Sequence, residues 1–556
     1  MVGKENFEAK ILVLDDERLI RMTVCARLKQ AGYEAVPAGT VEEAMAMLKA
    51  RYKSFCAIIS DVVMGEMDGF MFRDMVRGID SNIPIFFMTA LDPEEGSGFL
   101  KKIISDPMCY YLPKSVGTEV LVKRMQRVVG ARRIQQFVEN QVTEQRRSLS
   151  LAAHVQCNML STRAMMDERC FYTTLWSPHE SVSGDLYEAM PTDSGHMLFV
   201  LGDIQGHGTN AALVMMAVQA FLRQTVHTHE WRKTLVPEFI ANELQGFFRL
   251  NFADVSYMTA LICLYTPPAV PGEGGGTVTG ISCGASDLLV VDALSAQAMP
   301  VNPQHRGGLP IGLMPDTVYK PDDVVTIDLP SGAMCVACTD GLVEISQDAD
   351  GHEKIPKDIL AKVGLETIAD SYASAGMTAA PDKFMAVCAE LGYRTLHDDV
   401  TLLLFGARAL LPDVYEATTQ LSPSLVDAAS QAMAAWCSER GWPEDLVPRV
   451  QLVLEEHLMN VYDHGFNDQQ RRKDVVSIRL KRVRDQVQLT VWDRGLPPPS
   501  LKVAAGHADT AFDLANMKMN TRGRGRLMVR KLCNGIQRQR FAAMNETIFH
   551  IPITVQ

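Results

Sequence analysis

The chain of 556 residues carries 54 Lys and Arg against 66 Asp and Glu, a net charge of −12, with 47% hydrophobic and 22% charged residues. This composition excludes a disordered or fibrous chain, and the acidic balance disfavours a nucleic-acid coat, because phosphate binding needs a cationic surface. At roughly 150 residues per domain the length implies three or four domains rather than one core. No stretch approaches about 18 uninterrupted apolar residues, so no membrane span is expected. The opening MVGKENFEAK lacks the apolar core of a signal peptide. Twelve scattered cysteines suit a reducing compartment, and a cytoplasmic protein is expected. Cys335 and Cys338 form a CxxC inside an apolar run and read as strand residues, not as half of a zinc site.

From the N-terminus, KILVLD (10–15) reads as a buried parallel strand ending on acids. A helix follows over Leu19–Gln30, a short strand near Glu34–Val36 and a helix over Val41–Arg51. AIISD (57–61), IFFMTA (85–90) and YYLPK (110–114) repeat the theme of an apolar run closed by a polar residue. Alternating strands and helices predict a doubly wound α/β domain whose site lies at the carboxyl ends of the strands. Those ends carry Asp15, Asp16, Asp61, Thr89 and Lys114. Three converging carboxylates suit a hard cation such as Mg²⁺. The cation and a lysine would neutralise a phosphoryl group, and one carboxylate would accept it as an acyl phosphate. Over residues 8–130 the pattern resembles the response-regulator receiver domain. The resemblance implies Asp61 as phosphoacceptor, Asp15, Asp16, Asp61 and the Val63 carbonyl around Mg²⁺, Thr89 as switch hydroxyl, Lys114 on the phosphoryl group, and an upstream sensor histidine kinase. Gly65 and Ser115 stand where the family usually has prolines.

Residues 131–160 contain neither Gly nor Pro, and Ile134, Val138, Val142, Leu149, Ala152 and Met159 recur at spacings that suit a long helix. Gln145 and Gln156 interrupt its apolar stripe. Such a connector is either a coiled-coil seam joining two copies through receiver and connector or a monomeric linker helix packed on its neighbour. His154, with no adjacent acid, reads as a surface or packing residue.

From 161 to 408, acids sit beside apolar runs in SGDLYEA (Asp185), GDIQGHG (Asp203), TDG (Asp340) and HDDVT (Asp398, Asp399). Oxygen-only ligands assembled from distant sequence favour Mg²⁺ or Mn²⁺. A pair of such ions activates water and clamps a phosphoryl group. The ordered set resembles the metal-dependent protein phosphatase (PPM) family, in the subfamily of stage II sporulation protein E, with a β-sandwich fold and phosphoserine or phosphothreonine as substrate. It implies Asp203 as the bridging ligand, with the Ile204 carbonyl, Asp185, Asp340, Asp398 and Asp399 around two Mn²⁺ or Mg²⁺. Gly206 and Gly208 permit a tight turn; His207 within it serves either as an acid or as an orienting group. LPIGL (309–313) matches the subfamily, whereas SCGASDLLVV (282–291) departs from it.

After residue 408 the sequence restarts with helices over 424–440 and 443–462, two strand-like runs, DRGLPPP (493–499), TRGRGRLMVRKL (521–532) and a last strand. Glu456 and Asn460 share a helix face at i, i+4. Over 413–556 this resembles the ATP-binding fold shared by gyrase, Hsp90, histidine kinases and MutL (GHKL), an α/β sandwich, in its anti-sigma-factor serine-kinase branch. It implies Asn460 on Mg²⁺, Glu456 as base, Asp493 reading adenine, Gly495 shaping that loop, and Gly523 and Gly525 approaching the ATP phosphates. Arg522 and Arg526 make the lid poorer in glycine than is usual.

The expected architecture is thus multidomain α/β and α+β: receiver 1–130, connector 131–160, phosphatase 161–408 and ATPase 409–556. The combination implies a partner-switching regulator in which phosphatase and serine kinase act oppositely on a STAS-type anti-sigma-factor antagonist, gated by Asp61. An alternative makes the C-terminal domain a non-catalytic module that sequesters a sigma or anti-sigma partner; a third makes the whole chain a scaffold. No nucleic-acid or membrane partner is expected.

Overall fold

In the computed structural model the described residues are 10–64, 67–90, 103, 105–192, 194–227, 235–253, 255–285, 288–293, 295, 297–300, 308–374, 376–408, 411, 413–466, 475–497 and 524–553. They divide into two compact units, Met1–Ser148 and Leu149–Gln556.

The first unit is an all-parallel sheet, β1 (Lys10–Leu14), β2 (Glu34–Ala38), β3 (Phe55–Asp61), β4 (Ile85–Thr89) and β5 (Cys109–Pro113), in the order β2-β1-β3-β4-β5. Helices α1 (Arg18–Gln30), α2 (Val41–Arg51) and α3 (Gly69–Arg77) connect the strands. Every residue of β3 and β4 is buried, as uninterrupted apolar runs between two helical layers require. Two apolar clusters, one containing Leu12, Phe70 and Phe87 and the other Ile11, Val24 and Phe86, occupy the two faces.

Helix α4 (Thr118–Met159) begins in this unit and its last residues belong to the second. It starts well before residue 131 and passes through Gly130, a residue that costs a helix interior only about 1 kcal/mol.

The second unit holds two antiparallel sheets packed as a sandwich. One contains β8 (Asp185–Pro191), β9 (Met197–Ile204), β10 (Met258–Thr266), β11 (Thr277–Cys283) and β14 (Val325–Asp328); the other β6 (Ala164–Met166), β7 (Cys170–Ser177), β12 (Leu289–Asp292), β13 (Gln297–Pro300), β15 (Ala333–Cys338) and β16 (Val400–Ala407). Phe199 and Phe405 stack at 4.2 Å between them. Helices α5 (Thr209–His227) and α6 (Pro237–Asn251) pack against the first sheet, α7 (Lys357–Ala373) and α8 (Ala380–Glu390) against the second. Cys335 is buried within β15 and Cys338 ends it.

The rest of this unit is a five-stranded antiparallel sheet, β17 (Val414–Gln420), β18 (Val475–Val483), β19 (Gln486–Asp493), β20 (Gly535–Phe541) and β21 (Met544–Pro552), under helices α9 (Pro423–Glu439), α10 (Leu446–His464) and α11 (Arg524–Leu532). His457 of α10 is buried edge-on to Phe549 at 5.0 Å. Burial, reinforced by the charge of Arg538, pushes its imidazole from 6.5 down to about 3. The unfolded chain therefore takes up this proton before the folded one does, and stability falls as pH drops from about 6.5 toward 3. Calorimetric unfolding across that window should lose at most about 1.4 kcal/mol per pH unit from this group; His457→Leu should flatten that contribution, and an unchanged acid slope would refute the assignment.

Among the described residues no helix is long and apolar enough to cross a membrane.

Candidate functional site

At the carboxyl edge of the parallel sheet, Asp15, Asp16 and Asp61 bring ligand oxygens within 4.8 Å of one another. Asp15 and Asp61 are buried and Asp16 is exposed, so the cluster opens to solvent on one side. Lys114 Nζ lies 2.7 Å from Asp61 Oδ2 and 3.4 Å from Asp15 Oδ2. Burial raises the Asp15 carboxyl against the opposing pull of the Glu17 amide and Lys114. Burial alone would lower the Lys114 ammonium, yet its hydrogen bond to Asp61 and the two carboxylate charges leave it raised. Val62 N donates to Asp61 Oδ1 at 2.7 Å, which fixes the carboxylate's rotation. Thr89 is buried at the end of β4, and its carbonyl accepts from Lys114 N at 2.8 Å, tying β4 to the lysine loop. Val63 is exposed just after β3; Gly65 lies outside the described residues.

In the sandwich, Asp185 opens β8 and Asp203 stands directly opposite it near the end of β9. Like charges facing across a ladder repel. Burial, then Asp203, holds the Asp185 carboxyl well above the usual range, although Thr401 Oγ1 and Thr339 Oγ1 donate to its Oδ2 at 2.6 and 2.8 Å. Burial, then the charges of Asp340, Asp398 and Asp399, pushes Asp203 up to about 8. Asp398, half-buried beside Asp340 and Asp399, is raised as well. Asp340 follows Thr339 in a 3₁₀ turn, and Gly341 is required there, because a Cβ would sit 2.0 Å from the Asp399 carbonyl.

The two acids of HDD separate by task. Asp399 accepts His179 N on Oδ1 and Gly184 N on Oδ2, both at 2.7 Å, so it pins the loop that delivers Asp185. Asp398 spends one oxygen on Asp399 N and stays partly open. Ile204 closes β9 beside the turn where Gly206 has φ +84° and Gly208 φ +77°. His207 is exposed on that turn, 3.5 Å from Glu180 Oε1. Among the described residues no Lys or Arg forms an ion pair with Asp185, Asp203, Asp340 or Asp398. A carboxylate set that runs from buried Asp185 through half-buried Asp203 and Asp398 to exposed Asp340, without a protein cation among the described residues, fits divalent ions reached from solvent. No three of its carboxylates bring oxygens within 4.8 Å of one another, as Asp15, Asp16 and Asp61 do.

The end of α4 reaches this site. Gln156 is fully buried; its amide donates to the Ser183 carbonyl at 2.6 Å and accepts from Ser183 N at 3.0 Å. Ser183 lies two residues before Asp185. Close by, buried Glu188 is paired with Arg223 at 2.8 Å and accepts from Ser161 and Gln219.

In the C-terminal sheet, Asp493 ends β19 opposite Asn545. Its Oδ1 accepts from Gly495 N at 2.9 Å and Asn545 Nδ2 at 2.8 Å, and among the described residues none donates to Oδ2. Burial raises this carboxyl against those bonds. Gly495 is required, since a Cβ would lie 2.6 Å from the Gly465 carbonyl. Glu456 and Asn460 are half-buried on α10, and Asn460 Nδ2 donates to the Glu456 carbonyl. Glu455 is held by Ser430 at 2.6 Å, which leaves Glu456 as the carboxylate beside Asn460. Gly525 lies in α11; Gly523 and Arg522 lie outside the described residues.

Residues 11–126 match the response regulator receiver domain, residues 193–408 Stage II sporulation protein E (SpoIIE) and residues 419–550 the histidine kinase-like ATPase domain. The chain thus joins a receiver, a PPM-type protein phosphatase domain and a kinase-like ATPase domain. Receivers and PPM phosphatases are generally metal-dependent, and a receiver implies an upstream kinase.

Among individual proteins, the chain is similar to the two-component response regulator ORR21 of Oryza sativa, 31% identical over 140 residues that make up 25% of this chain and 19% of that protein. It is also similar to the probable transcriptional regulator ycf27 of Porphyra purpurea, 39% identical over 87 residues, 16% of this chain and 35% of that one. The chain therefore spans about a fifth and a third of the lengths of these relatives. A solved structure of RsbU and RsbW domains from Mycobacterium tuberculosis covers 70% of this chain and 96% of its own at 18% identity, with a TM-score of 0.36.

Proposed function

We propose that this chain is a two-component response regulator whose output is the phosphorylation state of a STAS-type anti-sigma-factor antagonist. Its phosphatase domain removes phosphate from a serine or threonine of that partner, its ATPase domain replaces it as a serine kinase, and Asp61 phosphorylation sets the balance. The observation that carries the reading is the carboxylate set of Asp185, Asp203, Asp340 and Asp398, which runs from buried to exposed and has no cation of its own among the described residues.

Asp203 would bridge two Mn²⁺ or Mg²⁺, with the Ile204 carbonyl, Asp185, Asp340 and Asp398 completing the set and Asp399 pinning the loop behind it. Bound there, the ions supply Lewis-acid charge and a water acidified enough to attack phosphorus. Thr339 and Thr401 hold Asp185 in one rotamer, and the glycine turn at 206–208 leaves the approach open. In the ATPase pocket, Asp493 Oδ2 would accept from the adenine amino group. Asn460 would hold Mg²⁺, Glu456 would take the proton of the attacking hydroxyl, and Gly523 and Gly525 would approach the phosphates.

In the receiver, Asp61 would accept the phosphoryl group from a sensor kinase, Asp15, Asp16 and the Val63 carbonyl would hold Mg²⁺, and Lys114 and Thr89 would respond to the new charge. Receiver dimerisation would then act through α4, whose Gln156 clamps the strand that begins at Asp185. Gln156→Ala should lower Mn²⁺-dependent turnover about 10–100-fold, the range typical of groups that orient a metal ligand, and higher Mn²⁺ should recover part of it; turnover equal to wild type at every Mn²⁺ concentration would refute the clamp.

The whole reading is tested with purified chain, a STAS-type antagonist, ATP and Mn²⁺. Both transfer of the ATP γ-phosphate to the antagonist and its Mn²⁺-dependent removal are expected; sequestration of a partner without transfer would instead support the binding-module alternative.

A further inference from the structure

The segment Asp493-Arg494-Gly495 sends neighbouring side chains in different directions. Asp493 turns toward Asn545 within the ATPase domain. Arg494 leaves that domain: its Nη2 lies 2.5 Å from Asp382 Oδ2 on α8 and donates to the Thr174 carbonyl of β7 at 3.1 Å. The pair is removed from water, with side-chain exposures of 8% and 0%. Around it the outer face of the C-terminal sheet is seated on the phosphatase domain. Trp492 packs with Ala379 and Met544, Arg479 donates to the Ser374 carbonyl, and Lys383 lies 6.0 Å from the Trp492 ring and 5.9 Å from that of Phe541.

The phosphatase end of this contact is close in structure to the candidate metal ligands. Two residues beyond Thr174 on β7, Trp176 Nε1 donates to the Asp185 carbonyl at 3.2 Å. Trp176 also pairs in register with Thr401, whose hydroxyl holds the Asp185 carboxylate. A buried ion pair is worth little as a source of stability, but losing one partner is strongly destabilising. Removing either side chain would leave the other's charge buried and unpaired, so the contact ties the 493–495 turn to β7 and α8.

We propose that the C-terminal pocket has a second function, as an effector site through which adenine nucleotide regulates the phosphatase, with Arg494 as the positioning residue between them. This rests on the reading of Asp493 as the adenine acceptor. A nucleotide held by Asp493 immobilises the 493–495 turn, keeps Arg494 on Asp382 and Thr174, and so favours the arrangement of β7 that holds Asp185. Occupancy of the pocket then tightens metal binding at the phosphatase, and by linkage the same contact supports nucleotide affinity.

The test uses the full chain with p-nitrophenyl phosphate as substrate, ADP as the nucleotide, and free Mn²⁺ held by a metal buffer. In the wild type, saturating ADP should lower the Mn²⁺ concentration for half-maximal turnover by about fivefold or more, the low end of ordinary coupling. Asp382→Asn should abolish that shift and, although Asp382 lies outside the nucleotide pocket, weaken ADP binding by calorimetry several-fold; Asp382→Glu should restore part of both. If Asp382→Asn does not fold, the double variant Asp382→Leu with Arg494→Met, which leaves no lone buried charge, should likewise show no ADP shift. Wild-type protein that binds ADP and hydrolyses the substrate with an unmoved Mn²⁺ requirement overturns the coupling while leaving the two-site reading intact, as does an ADP shift that survives either variant. Absence of ADP binding, or of Mn²⁺-dependent hydrolysis, overturns the underlying reading and the coupling with it.

Discussion

Asp203→Asn is expected to lower Mn²⁺-dependent phosphatase turnover by more than about a hundredfold, beyond what loss of an orienting group behind a metal ligand causes. The reason is its place in the structure. Asp203 faces Asp185 across a strand pair, and burial with three neighbouring acids pushes it up to about 8. In the metal-free protein this costs stability as pH rises from about 3.8 toward 8, because the unfolded chain gives up the proton there while the folded one still holds it. The asparagine removes that cost, so the metal-free variant should melt higher than wild type at neutral pH and lose the advantage as pH falls toward about 3.8. Added Mn²⁺ should behave oppositely: wild type gains about 2.7 kcal/mol at a hundred times its dissociation constant, and the variant gains far less. A variant that keeps both turnover and the Mn²⁺-induced rise in Tm would remove Asp203 from the metal set.

The second large effect is expected at Asp493. Its Oδ1 is committed to Gly495 N and Asn545 Nδ2, so in Asp493→Asn the amide oxygen must take that place and the amide nitrogen must face the ligand. Two donors then meet, adenine amino group against amide. ATP affinity should fall roughly ten- to a hundredfold, the range of a hydrogen bond to a charged group. Glu456→Gln should do the reverse, keeping ATP affinity while losing transfer. Calorimetry with ATP separates the two; unchanged affinity in Asp493→Asn would refute the adenine assignment.

These sites were legible in the sequence to different depths. The strand-end residues of the receiver were readable because each closes an apolar run, and Asp15, Asp16, Asp61 and Lys114 do meet. The phosphatase acids were readable as a set, but the division of labour between Asp398 and Asp399 was not, because it depends on which backbone amides lie nearby in space. Thr339 and Thr401, 154 and 216 residues from Asp185, carry no local signal. Asn545 has none either, since its role comes from ladder register with Asp493. Gln156 was read as a flaw in an apolar stripe and is instead a buried clamp on Ser183: helical periodicity reports which face is buried, not what a polar residue on that face bonds. Arg494 carries no local signal either, because its partner Asp382 lies 112 residues away in the chain.

The central claim is that the receiver controls the output domains. The most direct measurement is the rate of dephosphorylation of the phosphorylated STAS-type antagonist by the full chain at fixed Mn²⁺, with Asp61 free and with Asp61 carrying a phosphoryl mimic. The account predicts that the two rates differ by about fivefold or more and that Asp61→Asn abolishes the difference; equal rates in the two states would contradict it.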